Sequence, residues 1–157
     1  MEVHKLLETL HIAERLKDEL RHCDTSKGRR ESVAEHSWRI ALMALFMQDE
    51  FPELDINKVI RMCLIHDLGE CFTGDIPAFD KTAQDESTEE PYCRELAALY
   101  VEMNALQTGE ARLYKSLDKL EAVIQHNEAD ISTWEPHEYD LNLTYADDIV
   151  AFSPYLR

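Results

Sequence analysis

An apolar run that ends in a histidine–aspartate pair constrains this chain more than any other stretch. It reads Leu64-Ile65-His66-Asp67, then Leu68-Gly69-Glu70-Cys71-Phe72-Thr73-Gly74-Asp75-Ile76-Pro77. Apolar helix formers bury a segment, and polar groups carried inward with it need partners there. A metal ion is the natural partner for an imidazole beside a carboxylate. Glu70 lies four residues after His66 and three after Asp67, so on a helix it projects to the same side one turn on. Asp75 returns after a tight turn and can face the same pocket. One imidazole and three carboxylates suit a divalent metal of intermediate hardness. Without a metal, such carboxylates would raise one another's pKa values.

The rest of the chain has helical periodicity. Leu6, Leu7, Leu10, Ala13, Leu16 and Leu20 recur at three- and four-residue spacings and predict a helix over 3–22. Ser32-Val33-Ala34-Glu35 is a capping box that opens a largely buried helix running to about Glu50. Asp55 caps a third helix over about 56–68, stopped by Gly69 and the Thr73-Gly74-Asp75 turn. Residues 78–86 read as a polar surface loop. Ser87-Thr88-Glu89-Glu90 is a second capping box, for a helix to about Gln107. Thr108 caps a helix over about 109–129, with Leu113, Leu117, Leu120 and Ile124 inward. Trp134-Glu135-Pro136 breaks the chain before a last helix over about 137–151. No segment offers a clean period-two strand of useful length. The expected fold is all-α, a compact bundle of about six helices in a single domain over 1–157.

Charge narrows the partners. Thirty-two acids against 16 bases give a net charge of -16, which repels nucleic acid. A small phosphate ester remains acceptable, because a local basic patch and a metal can overcome the global field. Lys17, Arg21, Lys27, Arg29 and Arg30 form such a patch, although a solvated helix end and loop would look the same. The apolar runs are short or interrupted by charge, so no membrane partner is expected. The beginning, Met1-Glu2-Val3-His4-Lys5, lacks a signal peptide's apolar core. Cys23, Cys63, Cys71 and Cys93 show no CxxC spacing and read as reduced thiols in a cytoplasmic protein.

Two residues elsewhere can complete a metal site. His36 lies in the first turns of the second helix, and Asp118 lies beside the inner stripe of the fifth. With His66 and Asp67 they supply two nitrogens and two carboxylates from three helices. Each also has a plainer reading: a lone helical histidine is most often a surface or core residue, and Asp118 can simply pair with Lys115, Lys119 or Arg112. His126, eight residues after Asp118, sits about 12 Å further along the helix, too far to share an ion.

Glu35-His36, His66-Asp67 and Asp118 together resemble the H…HD…D signature of HD-domain metal-dependent phosphohydrolases. Ser32-Val33-Ala34-Glu35-His36-Ser37, His66-Asp67-Leu68-Gly69-Glu70 and Thr73-Gly74-Asp75-Ile76-Pro77 are similar to the 5′-deoxynucleotidase branch, over roughly residues 5–130. The resemblance implies that His36, His66, Asp67 and Asp118 hold one divalent metal per chain: manganese, cobalt, iron, nickel, magnesium or zinc. It implies that Glu70 and Asp75 are the catalytic carboxylates. It implies an arginine on the substrate phosphate, with Arg21 the nearest match and Arg29 or Arg30 as alternatives. It implies a homodimer acting on a small nucleotide, a (deoxy)nucleoside 5′-monophosphate, to give nucleoside and phosphate. It also suggests Glu102 as a further family glutamate. The alternatives are hydrolysis of another small phosphate or a nucleoside triphosphate, and a non-catalytic metal-binding regulatory HD protein.

Overall fold

Helix α6 (Gly109–Glu128) is the member against which most others pack. The computed structural model describes residues 2–73 and 96–157. In chain order, α1 (Val3–Ala13) and a 3-10 turn lead to an antiparallel hairpin, β1 (Leu20–Asp24) and β2 (Arg30–Ser32). Then come α2 (Val33–Phe46), α3 (Ile56–Ile65) and the short α4 (Glu70–Thr73). Helix α5 (Ala97–Ala105) precedes α6, and α7 (Glu138–Thr144) and α8 (Asp147–Val150) follow it.

The helix starts obey the chemistry of unsatisfied amides. Ser32 accepts from the Glu35 amide, and the Glu35 carboxylate reaches back to the Ser32 amide, closing a capping box on α2. Asp55 caps α3 through the Lys58 amide, and Thr108 caps α6 through the Ala111 amide. Helices α2, α3 and α6 then meet through Ile40, Ala44, Val59, Met62, Leu113 and Leu117, all fully buried. Burying each of the larger side chains contributes about 1.5–3 kcal/mol. The Tyr100 hydroxyl of α5 donates to the Ile65 carbonyl, tying α5 to the end of α3 just before His66.

The fold is predominantly helical, as expected, but the sequence concealed the hairpin. Residues 23–30, read as a loop, are its turn and flanks, with Gly28 at φ +75°. The residues that β1 and β2 turn inward include Arg21, Cys23 and Glu31. Charged inward positions erase the apolar–polar alternation that marks a strand. The helix expected over 3–22 therefore ends at Ala13. Of its leucine stripe only Leu16 is buried, against Val33 and Cys71, while Leu7 and Leu10 are 60% and 56% exposed. Helices α2 and α3 end earlier than expected, and the last helix is divided into α7 and α8. The 78–86 loop, the second capping box and the start of the fourth predicted helix lie outside the described residues.

The hairpin is clasped to the chain's last quarter through Glu138. Its Oε1 lies 3.2 Å from His22 Nε2 on β1 and 2.9 Å from His126 Nε2 on α6. Its Oε2 accepts from the Glu135 amide at 2.6 Å. Burial opposes the charge on Glu138, but the Glu135 amide, His126 and His22 outweigh it and hold the carboxyl below its usual 4.5. A depressed carboxyl contributes stability above its unfolded pKa and loses it as pH falls through the folded value. Glu138→Gln should therefore destabilise the protein at pH 7 by about 1.5–3 kcal/mol, the range for hydrogen bonds to a charged group. The difference should narrow as pH drops below about 4.5. Urea unfolding of both proteins at pH 7 and pH 3 checks this; an equal difference at both values contradicts it.

Candidate metal centre

Three helices bring four ligand-type residues together: the ligand atoms of His36, His66 and Asp67 lie within 4.8 Å of one another, and Asp118 lies beside both histidines. His36 comes from the second turn of α2 and is 1% exposed. His66 directly follows α3, where its own amide still bonds the Met62 carbonyl, and Asp67 comes next. Asp118 sits midway along α6. His36 Nε2 lies 3.3 Å from His66 Nε2, 3.1 Å from Asp118 Oδ1 and 4.0 Å from Asp67 Oδ2. His66 Nε2 lies 2.9 Å from Asp67 Oδ2 and 3.7 Å from Asp118 Oδ1. Atoms bound about 2.1 Å from one ion lie roughly 3.0–3.4 Å apart at octahedral to tetrahedral angles. The observed spacings bracket that range.

The tautomers decide what the cluster wants. His66 Nδ1 lies 2.8 Å from the Cys63 carbonyl, which can only accept, so Nδ1 carries the proton. His36 Nδ1 lies 2.6 Å from Glu121 Oε2, an acceptor already bonded by Arg21, so it too carries a proton. Both Nε2 lone pairs therefore point at each other and at two carboxylate oxygens. Four acceptors face one another with no donor among them from the described residues, and a metal cation or an added proton satisfies such a set. Without a metal the proton serves: burial and Arg21 oppose it, but Asp118 and Glu121 outweigh them and raise His36 to about 9. Burial opposes the charge on Asp67 as well, yet His66 and His36 hold its carboxyl down to about 2. For Asp118, Lys115, His36 and His66 overcome burial and keep it well below the usual carboxylate range. Both carboxylates are thus ionised and ready to bind at neutral pH. The donor set fits a divalent cation of intermediate hardness.

Lys115 donates to Asp118 Oδ2 at 2.7 Å, so the plainer pairing of Asp118 is also made. That bond engages one oxygen and leaves Oδ1 toward the histidines. Glu121, one turn further along α6, was not singled out from the sequence. Its signal was the three-residue spacing from Asp118, which repeats the Lys115–Asp118 interval on the same helix face.

The other sequence candidates fall at different depths. Glu70 is buried at the start of α4, its amide bonded to the Asp67 carbonyl. Asp75 lies outside the described residues. Arg21 projects inward from β1, with Nη1 2.8 Å from Glu31 Oε2 and 3.0 Å from Glu121 Oε2. Arg29 is on the surface in a bidentate pair with Glu35, its side chain 62% exposed. Arg30 pairs with Asp24 and donates to the His22 carbonyl. Glu102 binds Lys58 at 2.8 Å and accepts from Thr108, within a network shared with Glu110. His126 binds Glu138, consistent with its distance from the ion site.

A family model described as an HD domain matches residues 13–94 and 87–151. The chain belongs to the HD-domain family. It is 32% identical over 112 residues to the 5′-deoxynucleotidase HDDC2 of Bos taurus, covering 62% of this chain and 54% of that protein. The HDDC2 of Dictyostelium discoideum is 29% identical over 130 residues, covering 70% and 67%. The chain spans about half the length of most of the HDDC2 relatives it matches. Among solved structures, a protein of Magnetospirillum magnetotacticum MS-1 described as a predicted metal-dependent phosphohydrolase superposes with a TM-score of 0.74. It is 29% identical, and the match covers 98% of this chain and 92% of that one. The cyanophage S-2L HD phosphohydrolase DatZ, solved with dA and one catalytic Zn2+ ion, shares the fold with a TM-score of 0.67 at 23% identity, covering 90% and 82%.

Proposed function

We propose that this HD-domain protein is a metal-dependent phosphomonoesterase that cleaves deoxynucleoside 5′-monophosphates to nucleoside and phosphate, working as a homodimer in the cytoplasm. The observation that carries the reading is the inward-facing set of two imidazole lone pairs and two ionised carboxylates, with no proton donor between them. His36, His66, Asp67 and Asp118 would hold one divalent ion. Such an ion supplies positive charge to the phosphoryl oxygens and lowers the pKa of water. The substrate class rests on the named 5′-deoxynucleotidase relatives and on the motif resemblance.

The chain's own residues divide the remaining work. Glu70, buried one turn after Asp67, is the residue we assign to orient or deprotonate the attacking water. Asp75, from the sequence motif, is assigned to the leaving oxygen. Arg21 is the favoured phosphate partner of the three arginines, because it alone shares a residue, Glu121, with a metal ligand. A guanidinium has five N–H donors, so its contacts to Glu31 and Glu121 leave others for a phosphate. Purified protein supplied with manganese or cobalt should release inorganic phosphate from deoxynucleoside 5′-monophosphates. Release of pyrophosphate or triphosphate from nucleoside triphosphates instead would move the assignment to a triphosphate hydrolase. Stoichiometric metal uptake with no turnover of any nucleotide would move it to a regulatory HD protein.

A further inference from the structure

Behind the ligand quartet lies a second buried layer of charge. Glu121 is fully buried, and its Oε2 touches both His36 Nδ1, at 2.6 Å, and Arg21 Nη1, at 3.0 Å. Its other oxygen, Oε1, has no hydrogen bond among the described residues and lies 3.4 Å from Arg39 Nη1. Glu31, also buried, accepts from the same Arg21 Nη1 and from the Cys23 thiol. Two arginines from separate elements, β1 and α2, flank Glu121: Arg21 on Oε2 and Arg39 beside Oε1.

We propose that Glu121 is a positioning residue for the metal centre: its Oε2, 2.6 Å from His36 Nδ1, fixes the proton of His36 on that nitrogen and so aims the Nε2 lone pair at the ion. The inference rests on the metal-dependent reading above and assigns a role to a residue outside the ligand set. Histidine ligands depend on the acceptor behind their second nitrogen, and removing such an acceptor typically costs 10–100-fold in metal affinity. Helix α6 places this acceptor one turn from Asp118, so a single helix supplies both a ligand and the support for another.

Cobalt(II) titration of the wild type, Glu121→Ala and Glu121→Gln, followed by visible absorption, tests the role. Glu121→Ala should bind Co2+ about 10–100-fold more weakly. Glu121→Gln, which keeps an oxygen acceptor, should recover part of that loss. The second readout is the His36 Nδ1 proton in the Zn2+-loaded protein, observed by NMR. In the wild type it should lie far downfield, as expected for a bond to a carboxylate, and in Glu121→Gln it should move upfield. A role confined to folding predicts a lower melting temperature for the metal-free variants with unchanged Co2+ affinity and an unmoved proton; that result overturns the proposal. Should Glu121→Ala fail to fold, the Gln variant and the NMR signal decide alone. If the wild type takes up no Co2+, the metal-dependent function falls as well; if it binds and the variants bind equally, only the positioning role falls.

Discussion

Asp67→Ala should bind divalent metal more than about a hundredfold more weakly than the wild type, because losing a ligand costs at least as much as losing an outer support. Phosphate release should fall with it to the background of the reagents. Asp67 Oδ2 lies 2.9 Å from His66 Nε2 and 4.0 Å from His36 Nε2, and its carboxyl is ionised at neutral pH. Removing it leaves two imidazoles and one carboxylate already shared with Lys115. The thermal consequence is separable from catalysis. A metal at a hundred times its Kd stabilises a folded protein by about 2.7 kcal/mol. For a chain of this size that is roughly 5–11 °C in Tm. Manganese should raise the wild-type midpoint by that order, EDTA should reverse it, and Asp67→Ala should respond to neither. Full activity in the variant, or an unchanged response to manganese, would remove Asp67 from the metal site.

Leu117→Ala should produce the largest loss of stability without touching the ligands. Leu117 is fully buried in the cluster joining α2, α3 and α6, one residue before Asp118. Truncating a buried leucine costs about 2–5 kcal/mol, since the cavity collapses only partly. Set against a total of about 5–15 kcal/mol for a typical domain, that is a large share. The expected fall in Tm is roughly 4–20 °C. Neighbours on a helix point about 100° apart, so the cavity opens toward the core rather than the metal. Differential scanning calorimetry checks the midpoint, and manganese titration at low temperature should return near-wild-type affinity. An unaltered midpoint would mean that the core is not organised around this residue.

These two substitutions, side by side on α6, also show what the sequence could reveal. Leu113 and Leu117 announced their burial through helical spacing, and Thr108 announced the start of the helix through its side chain. The grouping of His36, His66, Asp67 and Asp118 was legible because each is a strong ligand type on a recognisable helix. The hairpin was not legible. Its inward residues, Arg21, Cys23 and Glu31, look like surface chemistry until Glu121 is known to face them. Their burial is set by partners distant in sequence, which local periodicity does not encode. The leucines of α1 failed in the opposite sense. Their spacing describes an apolar face, but the helix ends at Ala13, and Leu7 and Leu10 stay exposed. The spacing that marks Glu121 is a weak signal, because a glutamate three residues beyond an aspartate is ordinary on a helix surface.

The bond from Arg21 to Glu121 spans 100 positions of the chain, and that separation has a consequence for birth on the ribosome. Arg21 can meet Glu31 as soon as the hairpin forms. Its other partner is still unmade. At about 5–20 residues per second, the 90 residues from Glu31 to Glu121 take roughly 5–18 s to appear. During that interval His36 has no acceptor for Nδ1, Asp118 does not yet exist, and the first half of the chain holds ligands without a centre. On the proposed assignment, the fourth ligand, Asp118, and the acceptor behind His36, Glu121, both reach the nascent chain late and on the same helix, α6.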